Sequence, residues 1–328
     1  MTNYEPDEQH ENEHQRPNLE TTLDALREGQ ETETVPATVF YGLSGLQATD
    51  IAALSAVWDN LDADYRRRVV SELAEAAETN FDLDYDVLAR FAIEDEDDDV
   101  REAAIDLLWE NDSLDVMDRL IAMAMNDVSI PVRAAATSAL GYFIMQGELD
   151  DLPKSETARA ENAALRLLDD AEVDVRRRAL EAIANSSHEA VTDAIHSAYT
   201  SDEHKMQVSA LFAMGRSCDD TWDDEVIDAL QSRDPEIVYE AARAAGELML
   251  EDAVKHLRKL VFEDDREIKE VAIWSLGEIG GAEATTILER LAKDAENSGD
   301  EELLEAIEDA LGNAALGSGQ LYMMKLDE

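Results

Sequence analysis

Apolar residues recur along this chain with the period of a helix face. In Arg266–Leu291, Ile268, Ala272, Ser275, Leu276 and Ile279 stand at i, i+4, i+7, i+8 and i+11, and Gly280 and Gly281 follow. That spacing puts all five on one side of an α-helix. Small residues at the centre of the face let a neighbouring helix approach closely. The glycines supply the positive φ that ends a helix and turns the chain back. The stretch predicts one helical hairpin. A hairpin cannot bury its apolar faces alone, so copies must exist to stack against it.

Copies are found by aligning on Lys269: apolar just before, Ala three after, small six after, Leu or Met seven after. Arg101, Arg133, Arg176, Gln207, Tyr239 and Leu304 take the same place in their own segments. Successive anchors are separated by 32, 43, 31, 32, 30 and 35 positions. Roughly 30 residues is the length of two helices and two turns.

The phrases DDDVREAAIDLL, IPVRAAATSALG, VDVRRRALEAIA and IKEVAIWSLGEIGG resemble HEAT repeats, in particular the short kind of phycobilisome-lyase-like HEAT proteins. The resemblance runs from about Gln47 to Leu316. It implies an all-α fold, an α-solenoid of about eight helical hairpins. It also implies a non-enzymatic scaffold or adaptor that binds another protein along its concave face. The same resemblance leaves an alternative open: a HEAT-type lyase that attaches a chromophore, or a metal-dependent oxidoreductase similar to deoxyhypusine hydroxylase.

Three regions are expected. Residues 1–36 read as an acidic, disordered arm, poor in apolar side chains apart from Leu19, Leu23 and Leu26. Those three have helical spacing, so Asn18–Glu28 could also fold onto a partner or back onto the solenoid. Residues 37–316 read as the repeat array. Within it Asp50 is placed to cap a first helix bearing Ile51, Leu54, Val57, Trp58 and Leu61. Its partner helix runs from about Asp64 to Glu78, with the register open between Arg66 and Arg67. The long interval after Arg133 contains Gly147 and Pro153, which predicts an insertion loop over about 146–156. Residues 317–328 read as a flexible Gly-Ser-Gly joint and a tail whose Leu321, Tyr322, Met323 and Met324 cap the last repeat.

Composition narrows the partners. With 27 basic and 77 acidic residues the net charge is −50. Nucleic-acid affinity comes chiefly from cations that neutralise phosphates, so no nucleic-acid partner is expected, and anionic membranes are disfavoured likewise. An acidic surface with few lysines suits high salt, where the screening length falls to about 3 Å near 1 M. An acidic groove for a basic partner is the other reading of the same charge. One cysteine, Cys218, excludes an internal disulfide framework. The opening MTNYEPDEQHENEH has neither a basic region nor an apolar run, so no secretory leader is expected. Nothing approaches about 18 consecutive apolar residues, so no membrane span is expected. A cytoplasmic monomer follows as the expectation.

Candidate chemistry is sparse. Asp95, Asp127 and Asp170 stand six residues before Arg101, Arg133 and Arg176, a set that the resemblance to HEAT arrays implies is a structural ladder between repeats, with an anion-binding row as the other reading. His188-Glu189 and His10-Glu11 are the only His-Glu pairs, and His188, His196 and His204 lack the i, i+4 spacing with which two imidazoles share an ion. No metal or other cofactor is expected. Asp82, Asp84 and Asp86, and the run Asp95–Asp99, lack the Gly at six and Glu at twelve of an EF-hand. Cys218 precedes Asp219 and Asp220, which oppose thiolate formation. Gly277–Gly281 follows a helix with no strand before it, unlike a phosphate-cradling loop. No catalytic set emerges. What remains is one side-chain row on the second helices: Asp106, Ser138, Glu181, Phe212, Ala244, Trp274 and Asp309. Of these, Asp106, Glu181, Phe212, Trp274 and Asp309 are the protein-binding candidates, with Phe212 and Trp274 as aromatic anchors. Packing between repeats is the competing role for them.

Overall fold

A computed structural model describes residues 16–109 and 111–317, and every regular element among them is helical. The chain divides into two compact units, Met1–Val116 and Met117–Glu328. The first holds α1 (Leu19–Thr32), α2 (Ala37–Leu43), α3 (Ile51–Trp58), α4 (Ala63–Thr79), α5 (Asp86–Ala92) and α6 (Asp98–Asp106). The division falls inside α7 (Leu114–Asn126). The second unit continues with α8 (Ile130–Glu148), α9 (Lys154–Leu167), α10 (Val173–Ile183), α11 (Ala190–Tyr199) and α12 (His204–Arg216). It ends with α13 (Asp223–Ala229), α14 (Pro235–Glu247), α15 (Val254–Leu260), α16 (Arg266–Ile279), α17 (Gly281–Ser298) and α18 (Glu301–Gly317).

All seven aligned anchors lie on even-numbered helices, from Arg101 on α6 to Leu304 on α18. In the second unit these helices pack in one row, α8 on α10, then α12, α14, α16 and α18. The odd-numbered helices flank the row, which is an α-solenoid. The row is tight because small residues meet across it. A Cβ on Gly141 would come within 3.1 Å of Ala182 Cα, one on Gly215 within 2.9 Å of Ala244 Cα, and one on Gly277 within 2.8 Å of Ala310 Cα. Ser275, fully buried, has its hydroxyl 2.7 Å from the carbonyls of Val271 and Ala242, so it joins α16 to α14 without an unsatisfied polar atom.

Arg266–Leu291 is out of phase with the hairpin expected there. Gly280 and Gly281 (φ +63° and +79°) link the second helix of one pair to the first helix of the next. The same left-handed junction follows α12 and α14, but with Cys218 and Met249, each at φ +52°. A side chain in that conformation costs about 1–2 kcal/mol, of which glycine's greater unfolded-state freedom returns part. Met249 is well exposed. Met249→Gly is therefore expected to stabilise the protein by about 0.5–1 kcal/mol, read from the midpoint of urea unfolding.

Three further sequence expectations change. Residues 19–32, assigned to a disordered arm, form α1. Asn18 caps it by accepting from the Thr21 amide at 2.9 Å, and Leu23 and Leu26 are buried on α2. The Tyr65 hydroxyl on α4 donates to the Thr34 carbonyl at 3.2 Å, and burial pushes its pKa up to about 12. Two buried leucines and a cap thus outweigh a polar composition, the fold-back alternative for this segment. Residues 1–15, with His10-Glu11, lie outside the described residues, as does the tail from residue 318.

The insertion is narrower than 146–156. It is mostly extra helix, since α8 runs to Glu148 and α9 begins at Lys154. Gly147 lies inside α8 because Thr157 packs against it, where a Cβ would meet Thr157 Oγ1 at 2.0 Å. Asp50 precedes α3 but its carboxylate turns back to the Gln47 amide at 2.9 Å and caps no helix amide.

Candidate functional site

The Arg–Asp ladder is structural, and it settles the register at Arg66. The Arg66 guanidinium donates to the Leu61 carbonyl at 2.7 Å and to Asp95 Oδ1 at 2.8 Å, while Asp95 Oδ2 accepts from the Trp58 indole at 2.7 Å. Arg133 repeats the arrangement, donating to the Asp127 carbonyl at 3.1 Å and reaching Asp170 at 3.5 Å. Arg176 binds the Asp170 carbonyl at 2.9 Å and Glu203 at 2.6 Å. Gln207 keeps only the local half, donating to the Ser201 carbonyl at 2.8 Å. Each cation thus holds its own inter-helix loop and the next one along. Arg67, the other candidate for the register, is exposed and pairs with Asp99 at 3.1 Å.

The histidines have separate local roles. His188 Nδ1 accepts from the Ala190 amide at the start of α11, at 3.1 Å, and His204 Nε2 lies 2.9 Å from Asp234. Among the described residues no group of three or more His, Cys, Asp or Glu is placed to hold a metal ion. No described helix is long and apolar enough to cross a membrane.

Two concave features stand out, each within one unit. In the first unit a cleft of about 710 Å³ is lined by Ile51, Val87, Trp58 and Phe91, with Arg66 and Asp95 in its wall. Its buried ion pair belongs to the ladder. The second feature runs along α14 and α16 as two adjoining clefts of about 590 and 360 Å³, with Tyr239 and Glu267 lining both.

Of the aromatic candidates Trp274 lines this groove, and Phe212 touches Arg243, which lines it too. Trp274 on α16 is 37% exposed, and its ring edge lies against Gly246 on α14, where a Cβ would come within 2.9 Å of it. Phe212 on α12 is half-buried. The Arg243 guanidinium sits 4.2 Å from its ring centroid, and that of Arg216 lies 5.7 Å away. Arg243 is also 3.2 Å from Glu240, and Arg216 is 3.4 Å from Glu247. The cation–π stack and the carboxylates hold Arg243 and Arg216 in the lining they share with Trp274.

The other candidates are spread along the row. Glu181 is an inter-helix acceptor, taking Arg178 at 2.7 Å and the Ser209 hydroxyl of α12 at 2.6 Å. Ser138 and Asp309 are exposed on α8 and α18, and Ala244 is buried against Gly215. Asp106 is exposed on α6, in the other unit from Trp274.

Sequence reasoning missed most of the groove: Tyr239, Glu240, Arg243, Glu247, Glu267 and Glu270. The i, i+3, i+7 spacing of Glu240, Arg243 and Glu247 would place them on one helix flank. Across both clefts six carboxylates face two guanidiniums. Burial raises the Glu240 pKa, Glu181 and Glu247 raise it further, and Arg243 opposes them.

The model of the family described as HEAT repeats matches residues 200–273 and 224–312, the helices that build this groove. Residues 200–312 are HEAT repeats. No curated protein matches the sequence. Among solved structures the chain is similar to YibA of Escherichia coli, at 17% identity and TM-score 0.47, over 84% of this chain and 95% of that one. It is similar to a chain of the CpcE–CpcF phycocyanin lyase complex from a Nostoc species, at 17% identity and TM-score 0.45, over 69% and 93%. It is also similar to importin beta, at 14% identity and TM-score 0.46, over 90% and 46%. Similarity at this level carries no information about activity.

Proposed function

We propose that this HEAT-repeat protein is a non-enzymatic scaffold that binds another protein along the face built by its second helices. The observation that carries the reading is Trp274, a large aromatic exposed beside a groove in the repeat row. An indole left partly in water on a rigid helix is the kind of residue that concentrates binding energy at interfaces. Phe212 stacks on Arg243, which lines the same groove as Trp274. Asp309 on the adjoining α18 and Glu181 on α10, further along the row, extend the surface, and Asp106 serves a contact in the first unit.

Trp274→Ala removes the anchor and leaves the backbone of α16 in place. In affinity capture from native-salt extract with cross-linking, the wild-type protein should retain a stoichiometric partner. The variant should bind that partner about thirtyfold more weakly, as expected for a hot-spot aromatic worth about 2 kcal/mol. Equal retention by both proteins would remove Trp274 from the interface. Phe212→Ala is the internal comparison. Since its ring is covered by arginine, it should lower stability as well as binding.

A further inference from the structure

We propose that the groove between α14 and α16 takes an extended, Lys- or Arg-bearing segment of the partner, with the alkyl stem on Trp274 and the cationic head among Glu267, Glu270 and Glu240. The proposal rests on the scaffold reading and names the chemistry of its occupant.

Charge is the first argument. The lining holds Glu236, Glu240, Glu247, Asp265, Glu267 and Glu270 against only Arg216 and Arg243. The side chains of Glu240 and Glu247 are 17% and 14% exposed, and Arg243 and Arg216 already meet them at 3.2 and 3.4 Å. That leaves Glu267, which lines both clefts, for a cation from outside.

The second argument is that the protein already shows the binding mode. Arg243 lies over the Phe212 ring with Glu240 and Glu247 within 3.2 and 4.0 Å. Two repeats further on from Phe212, Trp274 presents a partly open ring in the cleft lined by Glu267 and Glu270, whose lining cations are Arg216 and Arg243. Glu270 also meets Arg266 at 2.6 Å. A cation from a partner would repeat on tryptophan, the strongest aromatic acceptor, what Arg243 does on phenylalanine.

The third argument is geometric. Packed helices lie about 8–10 Å apart, and an extended chain advances about 3.3 Å per residue. A segment crossing the row therefore meets one helix about every three residues, which sets the spacing of its cations.

The test is a fluorescence-anisotropy titration of the full chain, in the salt where it is folded. The probe is a labelled peptide with arginine at every third position and alanine between, and the control has glutamine in place of each arginine. The arginine peptide should bind and the glutamine peptide should not. Glu267→Gln with Glu270→Gln should weaken binding roughly tenfold, and Trp274→Ala by a similar factor. Glu289→Gln with Glu296→Gln, two exposed acids on α17, should leave it unchanged. Equal binding of the two peptides would overturn the proposal, as would equal losses in the two glutamine pairs, which would mean attraction to net charge alone. A partner captured through Trp274 but cross-linked there by a segment without Lys or Arg would also overturn it, while leaving the scaffold reading intact.

Discussion

Asp95→Ala is expected to destabilise the first unit by about 3–5 kcal/mol, the cost of leaving a buried charge without its counterion. The side chains of Arg66 and Asp95 are only 5% and 4% exposed, so water cannot replace the lost carboxylate. Three donors lose their acceptor together: the Arg66 guanidinium, the Trp58 indole and the Asp97 amide, the last at 3.0 Å from Asp95 Oδ1. Asp95→Asn keeps the shape and one oxygen, and should cost less than alanine. Urea unfolding followed by circular dichroism reads both. A loss below about 1 kcal/mol for alanine would place the pair with exposed ion pairs, which contribute little. Arg67→Ala, which breaks the exposed contact to Asp99, is the matched control and should cost at most about 1 kcal/mol.

Gly277→Leu should give the largest effect in the second unit. Even a methyl group at this position would lie 2.8 Å from both the Cα and the carbonyl oxygen of Ala310, and backbone cannot swing aside as a side chain can. The expected loss is at least about 1–3 kcal/mol, the range for overpacked cores, and it should be accompanied by separation of α18 from α16. Gly312, on α18, has no atom within 4 Å of a Cβ built on it. Gly312→Ala should therefore stabilise by about 1 kcal/mol through helix propensity alone. Opposite signs for two glycines on packed helices would show that close approach, rather than flexibility, dictates the first. Thermal melts of the two variants decide it, and stabilisation by both would refute the close contact.

The second helices were legible because they carry the longer apolar stripe. Arg101, Arg133, Arg176, Gln207, Tyr239, Lys269 and Leu304 each mark one, and each lies on α6, α8, α10, α12, α14, α16 or α18 in turn. The first helices were harder to place. α13 and α15 span only Asp223–Ala229 and Val254–Leu260, each entered through a short 3-10 turn, too few residues for a period to show. Gly147 illustrates a second limit. In sequence it marks a loop, but in the fold it is a helical residue placed for Thr157. Arg66 and Arg67 could not be ranked because both are arginines on one helix, and only the position of Asp95, in the loop between α5 and α6, distinguishes them.

At the groove, Trp274 could be singled out because an aromatic at that register is unusual among small residues. Phe212 could be found the same way, but its cover could not, since Arg243 comes from the next pair of helices. The groove acids were hidden by composition. In a chain with 77 acidic residues no single glutamate stands out until burial separates Glu240 and Glu247 from those in water.

The contact of Gly277 with Ala310 also governs which part of the array opens first. In a stack whose members touch only their neighbours, opening proceeds as local fraying with free energies well below that of global unfolding. α18 is the last described helix, and α16, which carries Trp274, packs between it and α14. Loss of α18 would uncover one side of the wall on which the groove depends. Amide hydrogens of α18 should therefore exchange faster than those of α12. A segment bound at α14 and α16 should slow exchange in α18 without touching it, so the outermost helix would report occupancy of a site one layer inward.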